Sequence, residues 1–243
     1  MSHRQMIREQ HRRQERRQRF IVIAVVVIAA LVITFFLVWP SIQPVGAITV
    51  PTFLSMPTDK VPAGTAAAGD PNAPVRLDVW EDFQCPACQN FTLNIEPNIV
   101  STYVDTGKVY LVFHPFSFID QGVSGGNESH AAAQAAYCAM DQGQFWQYHD
   151  MLFNNQNPNG ENTGAFTDRR LAAFAEKIGL DMTQFNNCYN SGKYKQHVLD
   201  DYQQGVDLGI DSTPSFFVND KRIQLQSSYN ELTQAIDDAL QGK

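Results

Sequence analysis

Two cysteines separated by two residues, Cys85-Pro86-Ala87-Cys88, are the groups in this chain best spaced to do chemistry. An alternating, β-rich run, Val75-Arg76-Leu77-Asp78-Val79-Trp80, precedes them and a helical stretch follows. At a helix start that spacing brings the two sulfurs within bonding reach. Cys85 then sits where free N–H groups and the helix dipole stabilise a thiolate. Pro86 suits the first helical turn, because its missing N–H is not needed there. A stabilised thiolate is a populated nucleophile and a good leaving group. The pattern therefore points to thiol–disulfide exchange, with Cys85 as nucleophile and Cys88 as the more buried resolving thiol. The rival reading is half of a zinc site, which needs a second Cys pair or a His pair at ligand spacing. The chain has no second CxxC, and His114, His130, His149 and His197 are scattered, so no metal is expected. An inert structural bridge is disfavoured because so short a loop gains little chain entropy.

Several elements must position that pair. The strand over Val75–Trp80 leads into the Cys segment, and a helix from Pro86 to about Val104 follows, kinked by Pro97. Gly107 ends it and Val109–Phe113 reads as a second strand. Residues 116–127 form a Gly/Ser-rich loop. A helical middle comes next: Glu128–Asp141, Gln144–Phe153, Asp168–Ile178 capped by Thr167, Met182–Tyr189 capped by Asp181, and Lys193–Leu208. The end returns to strands, Ser215–Val218 and Arg222–Leu225 about an Asn219-Asp220 turn. Ser228 and Glu231 form a capping box for a final helix. The order is β-α-β, a helical block, β-β, α, an α/β domain.

Cys138 and Cys188 both fall in the helical block. As a disulfide joining two helices they contribute about 4 kcal/mol in the loop-entropy model. As a redox pair they would form a second relay. The structural reading is favoured, since neither lies in a CxxC. Either implies an oxidising compartment.

The N-terminus says which membrane face that is. Phe20–Trp39 contains no charge, and twenty residues of helix span roughly 30 Å, the hydrocarbon thickness of a bilayer. Seven arginines and two glutamates precede it, a net +5, whereas the remainder carries eleven basic and twenty-three acidic residues, a net −12. The positive-inside rule places the arginines in the cytoplasm and everything after residue 40 outside. A cleaved signal peptide, with Val45-Gly46-Ala47 as the cleavage site, is the rival, but its apolar core is usually about 7–15 residues. The expected organisation is a basic cytoplasmic tail over 1–19, a single transmembrane anchor over 20–39, a Pro- and Ala-rich tether over 40–73, and a folded domain over 74–243 with a helical insertion at about 116–209. The 44% apolar content excludes wholesale disorder, and the acidic body excludes general nucleic-acid binding.

The stretch Glu81-Asp82-Phe83-Gln84-Cys85-Pro86-Ala87-Cys88 resembles the active-site segment of DsbA-like thiol–disulfide oxidoreductases of the thioredoxin superfamily. Tyr103–Val109, Ala135–Ala139, Gln144-Phe145-Trp146, His149–Phe153 and Ser212–Asn219 are similar to further segments of that family, so the resemblance runs from about 69 to 240. It implies a thioredoxin fold interrupted by a helical domain. It implies that Thr213-Pro214 is a cis-proline loop facing the cysteines and offering backbone to an extended substrate peptide, as in strand addition. It implies no cofactor. Its implied partners are reduced or unfolded secreted proteins and a DsbB-like or VKOR-like membrane redox partner.

Two departures from the family pattern matter. Many relatives carry a buried acid six positions before the first cysteine; here Val79 stands there, and Asp78 faces the other side of the strand. Glu81 and Asp82 are the candidate proton acceptors instead. Ala87 occupies the position where strongly oxidising relatives have His, which predicts a less oxidising pair. Two N-x-S/T sequons, at Asn90 and Asn127, fit a bacterial envelope better than a eukaryotic secretory route, since a glycan on Asn90 obstructs the cysteines. The leading expectation is an envelope-facing dithiol oxidase. The alternatives are a reductase using the same pair and a non-catalytic peptide-binding domain.

Overall fold

The computed structural model describes residues 3–42, 44–52, 56, 60–62, 64–225 and 228–243. It divides into two compact units, Met1–Gly46 and Ala47–Lys243. The first unit is one helix, α1 (His3–Ile42), which runs through Pro40. Its Arg16–Trp39 portion is long and apolar enough to cross a membrane, and none of it is buried. A helix suits that environment because it satisfies every backbone polar group internally.

The second unit is built on five strands. In chain order they are β1 (Ala67–Ala68), β2 (Val75–Glu81), β3 (Val109–Pro115), β4 (Ser215–Val218) and β5 (Lys221–Ile223). The spatial order is β1-β3-β2-β4-β5, with β2 and β3 parallel and the other pairs antiparallel. Central β2 is covered on both faces. Val75, Leu77 and Val79 point into the main core, while Trp80 joins a smaller cluster with Phe116, Ile210 and Phe217. The period of two in a strand sets that division. Asp78 accordingly faces away from the main core, held by Arg76 (2.6 and 2.8 Å) and His114 (2.7 Å).

Two corrections concern the early chain. Residues 40–73 were expected to be a free spacer, yet the compact unit begins at Ala47. Ala67 and Ala68 pair with Val112 and Leu111 of β3, and Trp146 Nε1 donates to the Ala67 carbonyl (3.2 Å). Thr49 exchanges two hydrogen bonds with the Asn155 side chain, both 2.7 Å. The small residues there reflect close approach: a Cβ on Gly69 would meet the Val109 carbonyl oxygen at 2.5 Å. They also cover the β3 edge, which would otherwise stay unpaired. Residues 43, 53–55, 57–59 and 63 of that stretch lie outside the described residues. The helix expected over 86–104 is three pieces: α2 (Pro86–Asn94), α3 (Glu96–Ile99) and a π-helical turn Val100–Val104. The break falls at Ile95, just ahead of Pro97, whose ring cannot continue a helix from the preceding turn.

Helices α4 (Glu128–Met140), α5 (Phe145–Asn154), α6 (Asp168–Lys177), α7 (Met182–Asn190) and α8 (Lys195–Asp207) form the block between β3 and β4. Asp181 caps α7 by accepting from the Thr183 and Gln184 N–H groups (2.8 and 3.0 Å). Thr167, at the start of α6, makes no such side-chain bond. Cys138 on α4 and Cys188 on α7 are joined as a disulfide. Helix α9 (Asn230–Leu240) closes the unit, packing Leu232 and Ile236 into the core. Tyr229 takes its N-cap position, so the expected box is displaced: Ser228 Oγ accepts from the Asn230 N–H (3.3 Å).

Candidate active site

The site forms where β2 ends and α2 begins. Cys85 is the residue before the first turn of α2, with extended backbone (φ −72°, ψ 121°), and Pro86 occupies the first turn. Its carbonyl accepts from the Gln89 N–H (3.0 Å) and its N–H donates to the Asp82 carbonyl (2.9 Å). Both cysteines are free thiols; Cys88 is fully buried and Cys85 is 7% exposed.

The two sulfurs are held in opposite protonation states. The Cys88 thiol hydrogen-bonds the Cys85 sulfur and lowers its pKa to about 6 against an opposing effect of burial, helped by Thr213 and the N–H groups of Cys88 and Ala87. Burial pushes Cys88 well above its ordinary 9.0. A thiolate at the rim and a thiol beneath is the arrangement that disulfide exchange requires.

The Thr213–Pro214 bond is cis, and Cys85 Sγ lies 3.4 Å from the Thr213 carbonyl oxygen. Residues 128 positions apart in the chain thus meet across the site. Beside this loop an apolar groove of about 670 Å³ runs between Phe116, Phe118, Tyr202, Val206 and Ile210.

The two acids that sequence analysis singled out part company. Glu81 shares the core face of β2 with Leu77 and Val79, is fully buried, and acts on both cysteines. Burial raises its pKa to about 7, opposed by His149. Asp82 is also raised to about 7 by burial, but its oxygens accept from Ser129 Oγ (2.6 Å), the Gln84 N–H (2.9 Å) and the Ile119 N–H (3.1 Å). Its side chain pins the loop after β3. Glu81 lies on the core side because it continues the strand's alternation; Asp82 has already left the strand.

Two further residues escaped the sequence. Gln156 Nε2 donates to the carbonyls of Phe83 (2.8 Å) and Cys85 (3.0 Å), clamping the active-site turn from the loop after α5. His149 Nε2 lies 4.0 Å from Glu81 Oε2. Neither carries a local signal, since each acts on residues more than sixty positions away.

A thiolate poised over a protonated thiol at the N-terminus of a helix, on a sheet of this topology, defines a thiol–disulfide oxidoreductase of thioredoxin fold. Residues 62–238 match the family model described as thioredoxin. The chain is 31% identical over 173 residues to the probable disulfide bond formation protein D of Bacillus cereus, covering 71% of this chain and 77% of that protein. It is 30% identical over 185 residues to disulfide bond formation protein D of Bacillus subtilis, covering 74% and 79%. The crystal structure of oxidised BdbD from Bacillus subtilis superposes with a TM-score of 0.65 at 26% identity, over 74% of this chain and 94% of that one. This chain belongs to the thioredoxin family, among the thiol–disulfide oxidoreductases of the DsbA type.

Proposed function

We propose that the protein is a membrane-anchored dithiol oxidase that introduces disulfides into extracytoplasmic proteins. The observation that carries this reading is the stabilised Cys85 thiolate. Whatever stabilises the reduced form makes the disulfide form the better oxidant. In the forward step a substrate thiolate attacks Cys85 Sγ of the Cys85–Cys88 disulfide. The bond between the two breaks, and Cys88 leaves with the electron pair and takes a proton. A second substrate thiolate then attacks the substrate sulfur, expelling Cys85 as thiolate. The substrate loses two electrons and gains a disulfide; the enzyme is left reduced. A DsbB-like or VKOR-like membrane partner would reoxidise it, and α1 would hold the domain near that partner.

Other features support the same reading. The Thr213–Pro214 loop and the apolar groove beside it suit extended, unfolded polypeptide. The Cys138–Cys188 bridge fits an oxidising compartment. The arginines before the apolar span fit a cytoplasmic N-terminus. One observation favours the reverse direction: with Ala87 in place of a histidine, Cys85 at about 6 lies between thioredoxin at about 7 and DsbA at about 3.5.

The reduction potential of the Cys85–Cys88 pair, measured on the full chain in detergent by equilibration with glutathione buffers, tests the proposal. A value nearer about −120 mV than about −270 mV supports the oxidase. A value at the thioredoxin end assigns a reductase supplied with electrons through the membrane. No redox transition refutes both and leaves a peptide-binding domain.

A further inference from the structure

Beneath the cysteines lies a buried group of charges that disulfide exchange at Cys85 does not by itself explain. His149 on α5 is fully buried, with the rings of Phe83, Phe113, Phe145, Trp146 and Phe153 centred 4.9–6.2 Å from its imidazole. An imidazole in such a cage is ordinarily neutral and inert. This one is not placed that way. Its Nδ1 donates to Asp150 Oδ1 (3.0 Å). Its Nε2 points toward Glu81 Oε2 at 4.0 Å and has no partner within hydrogen-bond distance. The Glu81 oxygens likewise have none. Two fully buried ionisable groups thus face each other at the 4.0 Å limit of an ion pair, with no hydrogen bond between them.

We propose that His149 is a positioning residue for the exchange reaction: as an imidazolium anchored by Asp150, it sets the pH at which Glu81 is free to take the proton from Cys88. The inference rests on the thiol–disulfide exchange reading and deepens it. The step it governs is resolution of a mixed disulfide on Cys85. Cys88 Sγ attacks Cys85 Sγ as its proton passes to the Glu81 carboxylate. The bond from Cys85 to the outgoing sulfur breaks, and that sulfur leaves with the electron pair. Glu81 must be ionised for this, although it is sealed from water. A cation opposite it is the means by which a buried carboxylate ionises at accessible pH.

The surrounding charges bear on both partners. Facing His149 are Glu81 from β2, Glu96 from α3 and Asp150 from its own helix. Facing Glu81 are Cys85 just ahead of α2, Cys88 in its first turn, His149 from α5 and Tyr229 ahead of α9. Burial works against a charge on His149, but the bond to Asp150 and the carboxylates of Glu81 and Glu96 outweigh it and lift its pKa to about 10. Glu96 and Asp150 favour the charged imidazole alongside Glu81.

The test uses the full chain in detergent, with oxidised glutathione as the reagent. The rate of mixed-disulfide resolution is followed against pH by acid quenching and thiol alkylation. The wild type should show an acid limb. His149→Gln should move its midpoint up by one pH unit or more, slowing resolution about tenfold per unit at pH values below it. Asp150→Asn, which leaves the ring in place, should move it the same way by less. Glu81→Gln should abolish the limb, and E81Q/H149Q should match E81Q. Wild-type and variant profiles that superimpose overturn the proposal, as does a shift that persists in the E81Q background or a wild type with no acid limb. If the wild type forms no mixed disulfide, the exchange reading itself fails, an outcome separate from an exchange-competent protein whose profile ignores His149.

Discussion

Replacing Cys88 with Ala isolates what stabilises the Cys85 thiolate. The largest influence on Cys85 is the hydrogen bond from the Cys88 thiol, acting against burial, and together with Thr213 and the helix N–H groups it takes Cys85 from 9.0 to about 6. A hydrogen bond to a charged group is worth about 1.5–3 kcal/mol, or about 1–2 pK units. The Cys85 pKa in Cys88→Ala should therefore rise to about 7–8, and the thiolate fraction at pH 7 should fall from about 0.9 to about 0.1–0.5. Thiolate absorbance near 240 nm and the pH dependence of iodoacetamide alkylation both report it. In the wild type Cys88 does not interfere, because burial keeps it protonated well above 9.0. Cys88→Ser, which retains a hydroxyl donor, should stay near the wild-type value. A Cys85 pKa unmoved in Cys88→Ala refutes the reasoning, since the helix terminus alone would then hold the thiolate. A rise to 9.0 refutes it the other way, by leaving nothing for the backbone N–H groups.

The same geometry makes further predictions. Cys138→Ser with Cys188→Ser removes a bridge across a separation of 50 residues, and chemical denaturation should show a loss of about 4 kcal/mol; an unchanged midpoint would mean the bond contributes nothing. A Cβ on Gly205 of α8 would meet Phe116 at 2.5 and 2.6 Å. Gly205→Ala should cost about 1–3 kcal/mol, measurable as a lower Tm, with Phe116→Leu in the same chain restoring part of it. The folded pKa of Cys85, about 6, lies below its unfolded 9.0, so this group's stabilisation is complete above pH 9.0 and is lost as pH falls through 6. The disulfide form has no such group. The stability of the reduced domain relative to the oxidised one should thus climb by up to about 1.4 kcal/mol per pH unit between those limits. Calorimetry of both forms across that range checks the sign, and a flat difference rejects it.

Much of the site was legible without coordinates, because its covalent logic is local. Strand periodicity over Val75–Trp80 and the helix-forming run after Pro86 place Cys85 at a helix N-terminus, and that position alone argues for a thiolate. The same alternation put Asp78 on the far face, where Arg76 and His114 hold it. The helical block and the final β-β-α were readable from 3.6-residue spacing and turn residues. The two-residue strand β1 was not, since Ala67 and Ala68 have no period to detect and become strand only because β3 offers them an open edge.

The order of elements, the nucleophile and its resolving partner, and the apolar N-terminal span were thus determined by sequence alone, through spacing that acts within one turn or one strand. The tertiary structure decided what lies around them. It buried Glu81 on the core face of β2, brought Thr213 to within 3.4 Å of Cys85, and set Gln156 and His149 against the active-site turn from the helical block. Those contacts join residues 68 to 128 positions apart, and no local pattern encodes them. They follow from how α5 and the loop before β4 pack onto the end of β2, where hydrogen bonds hold Cys85 as a thiolate against burial and burial raises the proton affinities of Cys88 and Glu81.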